Sequence, residues 1–234
     1  MTRRRWIADE VTGDRASLTG AHADHLTRVL RVRVGQEFDI ATGNAVRRGQ
    51  VASVADGRID FDLGEELPAS TAAQITLLLA VFKFDRMEWA IEKCTELGVS
   101  RIVPVIARRT DVHLAAAATK RAERWRRIVL QAAEQSRQAT PPAVNAPLKL
   151  PEAMNLATGL RIVLAESEQQ VLLRDVLESH SSDQEATLAV GPEGGWVEDE
   201  LQRFQQAGWI PASLGRNILR AETAAIAATA IATM

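Results

Sequence analysis

Ala189-Val190-Gly191-Pro192-Glu193-Gly194-Gly195-Trp196 is the stretch on which the fold turns. An apolar run, residues 187–190, leads into it, and Glu198, Asp199 and Glu200 follow it. That order reads as a buried strand, a tight loop and a helix start with acids in its first turn. Pro192 fixes its own φ, while Gly194 and Gly195 admit backbone angles that other residues avoid. Such a loop leaves main-chain N–H and C=O groups open to a flat, polar ligand. A second stretch, Leu214-Gly215-Arg216-Asn217-Ile218-Leu219-Arg220-Ala221-Glu222-Thr223-Ala224, also follows a short apolar run and reads as its partner.

Working outward, the same strand-then-helix rhythm starts near residue 73. Residues 75–82 are continuously apolar, as in a strand covered on both faces. Met87, Ala90, Ile91, Cys94 and Leu97 then mark one face of a helix that Gly98 caps. Residues 101–107 predict a strand that Pro104 pushes toward an edge or end position. A helix is expected over about 118–138, buried through Trp125, Ile128, Val129 and Ala132. It is loaded with Arg121, Arg124, Arg126, Arg127 and Arg137, and Pro141-Pro142 stops it. Strands at 161–165, 187–190 and 209–214 and helices to about 207 and over 221–233 complete a parallel α/β sheet.

Residues 1–70 read differently. Short runs at 36–41, 49–54 and 58–63 are punctuated by Thr42-Gly43-Asn44 and Ala55-Asp56-Gly57, which predict hairpin turns. One helical piece is expected at about 21–30. Leu63-Gly64-Glu65-Glu66-Leu67-Pro68 reads as a linker, so the expected division is a small β domain over 1–70 and an α/β domain over 71–234.

The chain has 234 residues, 46% hydrophobic and 25% charged, with a net charge of −2. The charge argues against indiscriminate coating of nucleic acid but leaves room for a local basic face. One cysteine excludes an internal disulfide framework and makes a reducing cytoplasm the default. No run reaches the roughly 20 apolar residues of a membrane span. The glycine loop is neither a Gly-x-x-x-x-Gly-Lys phosphate loop nor Gly-x-Gly-x-x-Gly. Its plain reading is a strand-to-helix turn that needs glycine for geometry. Its functional reading rests on its place at the carboxyl end of a parallel strand, where open α/β sheets bind ligands. His22, His25, His113 and His180 show no metal-binding spacing, so no metal is expected, and Cys94 reads as an inert core thiol. Arg3, Arg4 and Arg5, then Arg28, Arg31 and Arg33, concentrate positive charge in the β domain. They read either as a solvated face or as a grip on nucleic acid.

Gly191-Pro192-Glu193-Gly194-Gly195, with Glu198 and Glu200, and Leu214-Gly215-x-x-Ile218-Leu219-Arg220-x-Glu222-Thr223-Ala224 resemble the RsmE family. These are bacterial 16S ribosomal RNA uridine N3-methyltransferases of the SPOUT superfamily. Further matches are His25-x-x-x-Val29-Leu30-Arg31-x-x-x-Gly35, the run Glu92-Lys93-Cys94-Thr95-Glu96-Leu97-Gly98-Val99, and Arg121-x-x-Arg124-Trp125 with Glu134-Gln135-Ser136-Arg137. The likeness covers nearly the whole chain. Pro211-Ala212 and Trp196-Val197 depart from the usual pattern.

The resemblance implies a PUA-like β-barrel at the amino end that helps hold RNA, and a SPOUT α/β domain whose end is threaded through a trefoil knot. It implies S-adenosylmethionine (SAM) bound in that knot and a homodimer. The substrate would be 16S rRNA or the assembled small subunit. Cofactor contacts then fall to Leu164, Gly191, Pro192, Glu193, Gly194, Gly195, Leu214, Gly215, Ile218, Leu219 and Thr223. Arg220, Glu222 and Glu193 become the catalytic candidates, and Arg3, Arg4, Arg5, His25, Arg28 and Arg31 the RNA contacts. The rival expectations are a SPOUT enzyme acting on transfer RNA or a ribose 2′-oxygen, a non-catalytic RNA-binding assembly factor, and an unrelated α/β nucleotide-binding protein.

Overall fold

The computed structural model describes residues 5–43, 45–67, 74–136, 138, 140–180 and 185–233. Arg3, Arg4, Asn44, Arg137 and the expected boundary near residue 70 lie outside them. The chain groups into two compact units, 1–71 with 133–141 and 72–132 with 142–234.

The first unit is one six-stranded mixed sheet. It contains β1 (Arg5–Ile7), β2 (Glu10–Thr12), β3 (Arg15–Thr19), β4 (Glu37–Ala41), β5 (Val46–Ala55) and β6 (Arg58–Leu67), in the order β1-β4-β5-β6-β3-β2. β1 pairs β4 in parallel and the other pairs are antiparallel. Helix α1 (Gly20–Asp24) runs on into a π-helical turn, His25–Val29. Trp6, Leu18, Leu26, Ile40, Ile59 and Phe61 fill the core. β5 lies so close to β4 that a Cβ on Gly49 would stand 2.4 Å from Ile40 Cγ1. His22 sits between two acids, its Nδ1 3.4 Å from Asp9 and its Nε2 3.2 Å from Glu134. Burial pushes the Glu134 carboxyl up, and His22 pulls it back down.

The expected linker is overturned here. Residues 63–67 continue β6, with Glu66 opposite Arg47 and Leu67 opposite Val46. Register shifts between Arg47 and Gly49 and between Val51 and Ser53 break the alternation that a strand reading depends on. Arg47 donates from Nε to the Gly64 carbonyl at 2.9 Å, which holds the acidic stretch in the sheet.

In the second unit, β7 (Ile75–Ala80), α2 (Phe84–Glu96), β8 (Arg101–Ile106) and α3 (Val112–Ser136) come first. The short β9 (Ala143–Val144), β10 (Leu148–Lys149) and α4 (Leu150–Met154) follow. Then come β11 (Leu160–Leu164), α5 (Leu173–Glu178), β12 (Ala186–Val190), α6 (Glu198–Gln206), β13 (Ile210–Ala212) and α7 (Ala221–Ala232). All strands are parallel, in the order β10-β8-β7-β12-β11-β13, with β9 also on β8. Both faces are covered, so β7 and β12 are buried at every residue. One face packs α2, α3, α5 and α7 through Met87, Trp125, Leu173 and Ala225. The other packs α4 and α6 through Leu150 and Phe204, with Trp196 and Trp209 beside them.

Local chemistry explains the element ends. Gly98, at φ 98°, ends α2, and Val99 N–H reaches back to the Cys94 carbonyl at 3.1 Å. α3 starts six residues before the expected 118, at Val112. Asp111 caps it, its carboxylate accepting from His113 N–H at 2.8 Å and Leu114 N–H at 3.3 Å. Pro104 is tolerated in β8 because its missing donor faces away from β7. The Val105 carbonyl accepts from Val81, so its neighbour at 104 points outward, between the pairings of β9 and β10. Cys94 is fully buried against Thr229, and burial pushes its thiol up to about 12. Among the described residues no helix is long and apolar enough to cross a membrane.

Candidate functional site

A cleft of about 1100 Å³ opens where β11, β12 and β13 end. Three loops line it, one after each strand, as expected at the carboxyl edge of a parallel sheet.

The first loop begins at Ala165, whose N–H donates to the Ala212 carbonyl at 3.1 Å. Glu168 folds it, accepting from Gln170 N–H at 2.7 Å and Val171 N–H at 3.0 Å. Those backbone donors, Val171 foremost, hold the Glu168 carboxyl below the usual range. The second loop is Gly191 to Trp196. Gly195 N–H closes a turn on the Pro192 carbonyl at 2.8 Å, with Gly195 at φ 68°. A Cβ at Gly191 would stand 3.3 Å from Trp196 Nε1, and one at Gly194 3.1 Å from Arg109 Cδ. Arg109 Nη1 donates to the Gly194 carbonyl. Glu200 secures the exit: its buried carboxylate accepts from Arg108 N–H at 2.9 Å and Val197 N–H at 3.0 Å. The third loop turns at Gly215, φ 117°, whose N–H donates to Ser213 Oγ at 3.1 Å. Ser213 is fastened to the first loop, accepting from Leu173 N–H and donating to the Val171 carbonyl, each at 2.9 Å.

Ten of the eleven expected cofactor residues line this cleft: Leu164, the run Gly191-Pro192-Glu193-Gly194-Gly195, Leu214, Gly215, Ile218 and Leu219. Thr223 is on the exposed side of α7, away from the lining. Arg220 is the exposed N-cap residue of α7, at the end of the third loop. Glu193 is exposed in the cleft, its Oε1 3.4 Å from Lys83 N. Glu222 is buried in the first turn of α7, 3.8 Å from Arg86 Nε, and its Oε2 has no hydrogen-bond partner among the described residues. It does not line the cleft.

Sequence reasoning missed Arg109 and the 165–170 loop. Arg109 is 85 residues from the carbonyl it holds, and only sheet order brings them together. Trp196, read as a departure from pattern, is buried and stacks edge-on to Phe204 at 5.1 Å. Its indole N–H has no partner among the described residues and borders the cleft beside Gly191. Acids outnumber bases on the lining, with Glu166, Glu168, Glu193 and Glu198 against Arg109 and Arg216. Apolar Leu164, Leu214, Ile218 and Leu219 face the same space, and Ile218 is 80% exposed. The cleft therefore suits a ligand with a flat apolar part, groups that read main chain, and a positive charge.

The expected RNA residues belong to the first unit. Arg5 is half-buried in β1, while His25, Arg28 and Arg31 are exposed. Arg28 is 3.8 Å from Asp24, and Arg31 has φ 49°, a left-handed backbone rare for a side-chain-bearing residue. The His25 ring is 5.7 Å from Trp6.

Residues 69–233 match the RNA methyltransferase domain family. The ribosomal RNA small subunit methyltransferase E of Synechocystis is 34% identical over 222 residues, covering 92% of this chain and 71% of that protein. The protein of the same name from Rickettsia conorii is 31% identical, covering 89% and 85%. The crystal structure of the Neisseria gonorrhoeae ribosomal RNA small subunit methyltransferase E, bound to S-adenosylmethionine, superposes with a TM-score of 0.84 at 30% identity. That likeness covers 98% of this chain and 96% of the other.

Proposed function

The chain belongs to the RNA methyltransferase family, and from that premise we propose that it methylates N3 of one uridine in 16S rRNA, with SAM as methyl donor. The observation that carries this reading is the convergence of both glycine-bearing loops on one cleft. The residues present fit the cofactor. Gly191 and Gly194 bring bare backbone to the cleft where a Cβ would press on Trp196 and Arg109, Trp196 offers an unpaired buried donor, and the acidic lining suits a sulfonium cation.

When bound, SAM supplies an activated methyl group. The chain supplies the rest. Main-chain groups of residues 191–195 and 214–219 hold the cofactor, and Leu164, Ile218 and Leu219 pack on its ring. A uracil N3 is a poor nucleophile until its proton leaves, so a base must stand within reach. Glu193, exposed in the cleft, takes that role directly or through water. Glu222, buried against Arg86, braces the start of α7. Arg220 holds the base or its phosphate and stabilises charge on the uracil oxygens. The uridine enters looped out, because N3 is engaged in a pair. Arg5, His25, Arg28 and Arg31 contact its flanking RNA, as do Arg3 and Arg4, which lie outside the described residues.

The same reading includes a PUA-like role for residues 1–70, a homodimer, and a trefoil knot at the carboxyl end. Two features support the knot. Ser213 passes bonded between Val171 and Leu173, and the chain then moves from the α6 face of the sheet to the α7 face. The experiment is transfer from labelled SAM to small-subunit RNA and to particles from a strain lacking the gene, with nucleoside mass spectrometry. Labelled 3-methyluridine is expected. Label in a ribose or in another base refutes the reading.

A further inference from the structure

Helix α3 carries charge that the cleft does not use. Ala118, Ala122, Trp125, Val129 and Ala132 are its buried face. At 3.6 residues per turn, His113, Lys120, Arg124 and Arg127 project from the opposite face, and all four are exposed. Arg121 flanks this stripe, its guanidinium 4.9 Å from the Phe84 ring centre.

Among the described residues, unpaired arginines occur elsewhere on the surface, Arg161 and Arg203 among them, but these do not stand together on one helix face. Exposed Arg15, Arg58 and Arg174 each meet a carboxylate. On α3, Arg121 and Arg124 share one, Glu88, at 3.3 and 2.8 Å. Lys120 and Arg127 have no ion pair among the described residues. Glu123, one turn from both Lys120 and Arg127, pairs instead with Arg126 at 3.2 Å. Two guanidinium groups on one carboxylate leave a surplus positive charge, and Lys120 and Arg127 add to it. Glu88 also sets orientation: Arg124 spends Nε on it and keeps both terminal nitrogens free, the fork that matches a phosphate. From Lys120 to Arg127 the stripe runs about 10 Å along the helix.

We propose that this face of α3 is a phosphate-binding surface for the RNA substrate, separate from the cleft. The proposal rests on the reading that the substrate is RNA. Charge complementarity commits it to nucleic acid: the whole chain is at −2, yet this face gathers cations with too few acids.

The test measures binding of a 16S rRNA transcript across a salt series for three proteins: wild type, Lys120→Gln/Arg127→Gln, and Arg174→Gln. The control loses an exposed arginine that meets Asp175 and Glu178. The double variant is expected to bind about tenfold more weakly at moderate salt. Its slope of log affinity against log salt should fall by roughly 1.5, two phosphate contacts at about 0.7 each. Arg174→Gln should match wild type, and calorimetry should give all three the same SAM affinity. A wild-type slope in the double variant overturns the surface while leaving the cleft untouched. A wild type that binds the transcript with the expected slope but never methylates it overturns the reading of the cleft and not of the stripe. Polyglutamate binding as tight as the transcript's, lost in the same variant, overturns the nucleic-acid assignment.

Discussion

A Cβ on Gly194 would stand 3.1 Å from Arg109 Cδ. A branched residue there pushes Arg109 off the Gly194 carbonyl and reshapes the loop that lines the cleft. Gly194→Val should abolish SAM binding by calorimetry while the Tm stays near wild type, because Gly194 is exposed and outside both cores. Full SAM affinity in the folded variant would remove the loop from the cofactor site. Asp60 offers a residue-scale test of the first unit. It accepts from Ser53 and Ser17, at 2.7 and 2.8 Å, and from Arg58. Those bonds, Ser53 first, hold its carboxyl below the ordinary 3.8. With the folded value depressed, its stabilisation is present above about pH 4 and lost as pH falls through the folded value. Asp60→Asn should therefore lower stability by about 1 kcal/mol at pH 7, and the gap should close in acid. A gap that stays constant as pH falls below about 4 in denaturant titrations would remove the charge from the account.

Elements were legible where a single chemistry marks them. β7 and β12 are apolar apart from one buried threonine each, Thr76 and Thr187, α2 has its apolar stripe and glycine cap, and both glycine loops stand at strand ends. Other elements hide because long-range pairing makes them. β9 and β10 have two residues each and exist by leaning on β8. β1, β2 and β3 are too short to show alternation. The start of α3 was readable in principle from its Asp111 cap, but the alanine run after it carries no stripe. The site divides the same way: its loops were visible, and Arg109, reaching across from the end of β8, was not. Gly159, at the entry to β11, shows how an element depends on one position. Its φ is 63°, and a Cβ would stand 1.8 Å from the Glu185 carbonyl oxygen, which accepts Leu160 N–H at 2.8 Å. Gly159→Ala should cost about 3 kcal/mol or more, since β11 must move away from β12. A thermal melt within a degree of wild type would contradict this.

At the scale of the whole molecule, charge is spent locally. Acids and bases nearly balance across the chain, and ion pairs such as Arg58–Glu10 and Arg174–Asp175 form between neighbours. RNA contact is therefore expected where unpaired cations gather on one surface. Arg31 is one, while Arg28 is partly held by Asp24. Arg28→Ala/Arg31→Ala should weaken binding of the 16S transcript about tenfold and flatten its salt slope by roughly 1 to 1.5. SAM affinity should not change. An unaltered slope would take the first unit out of the RNA footprint.

The partnership of β7 with β12 has a consequence for how the chain is made. Ile75 sits in register with Ala186, so the strand that leaves the ribosome first in this unit waits for one more than a hundred residues behind it. Until then β7 has β8 on one edge and α2 and α3 on one face, while its other edge is unpaired. Contacts this distant in sequence form slowly, and uncovered edges of this kind invite aggregation. The nascent protein should therefore lean on a chaperone during synthesis, and refold from denaturant in one late step that buries β7 and β12 together.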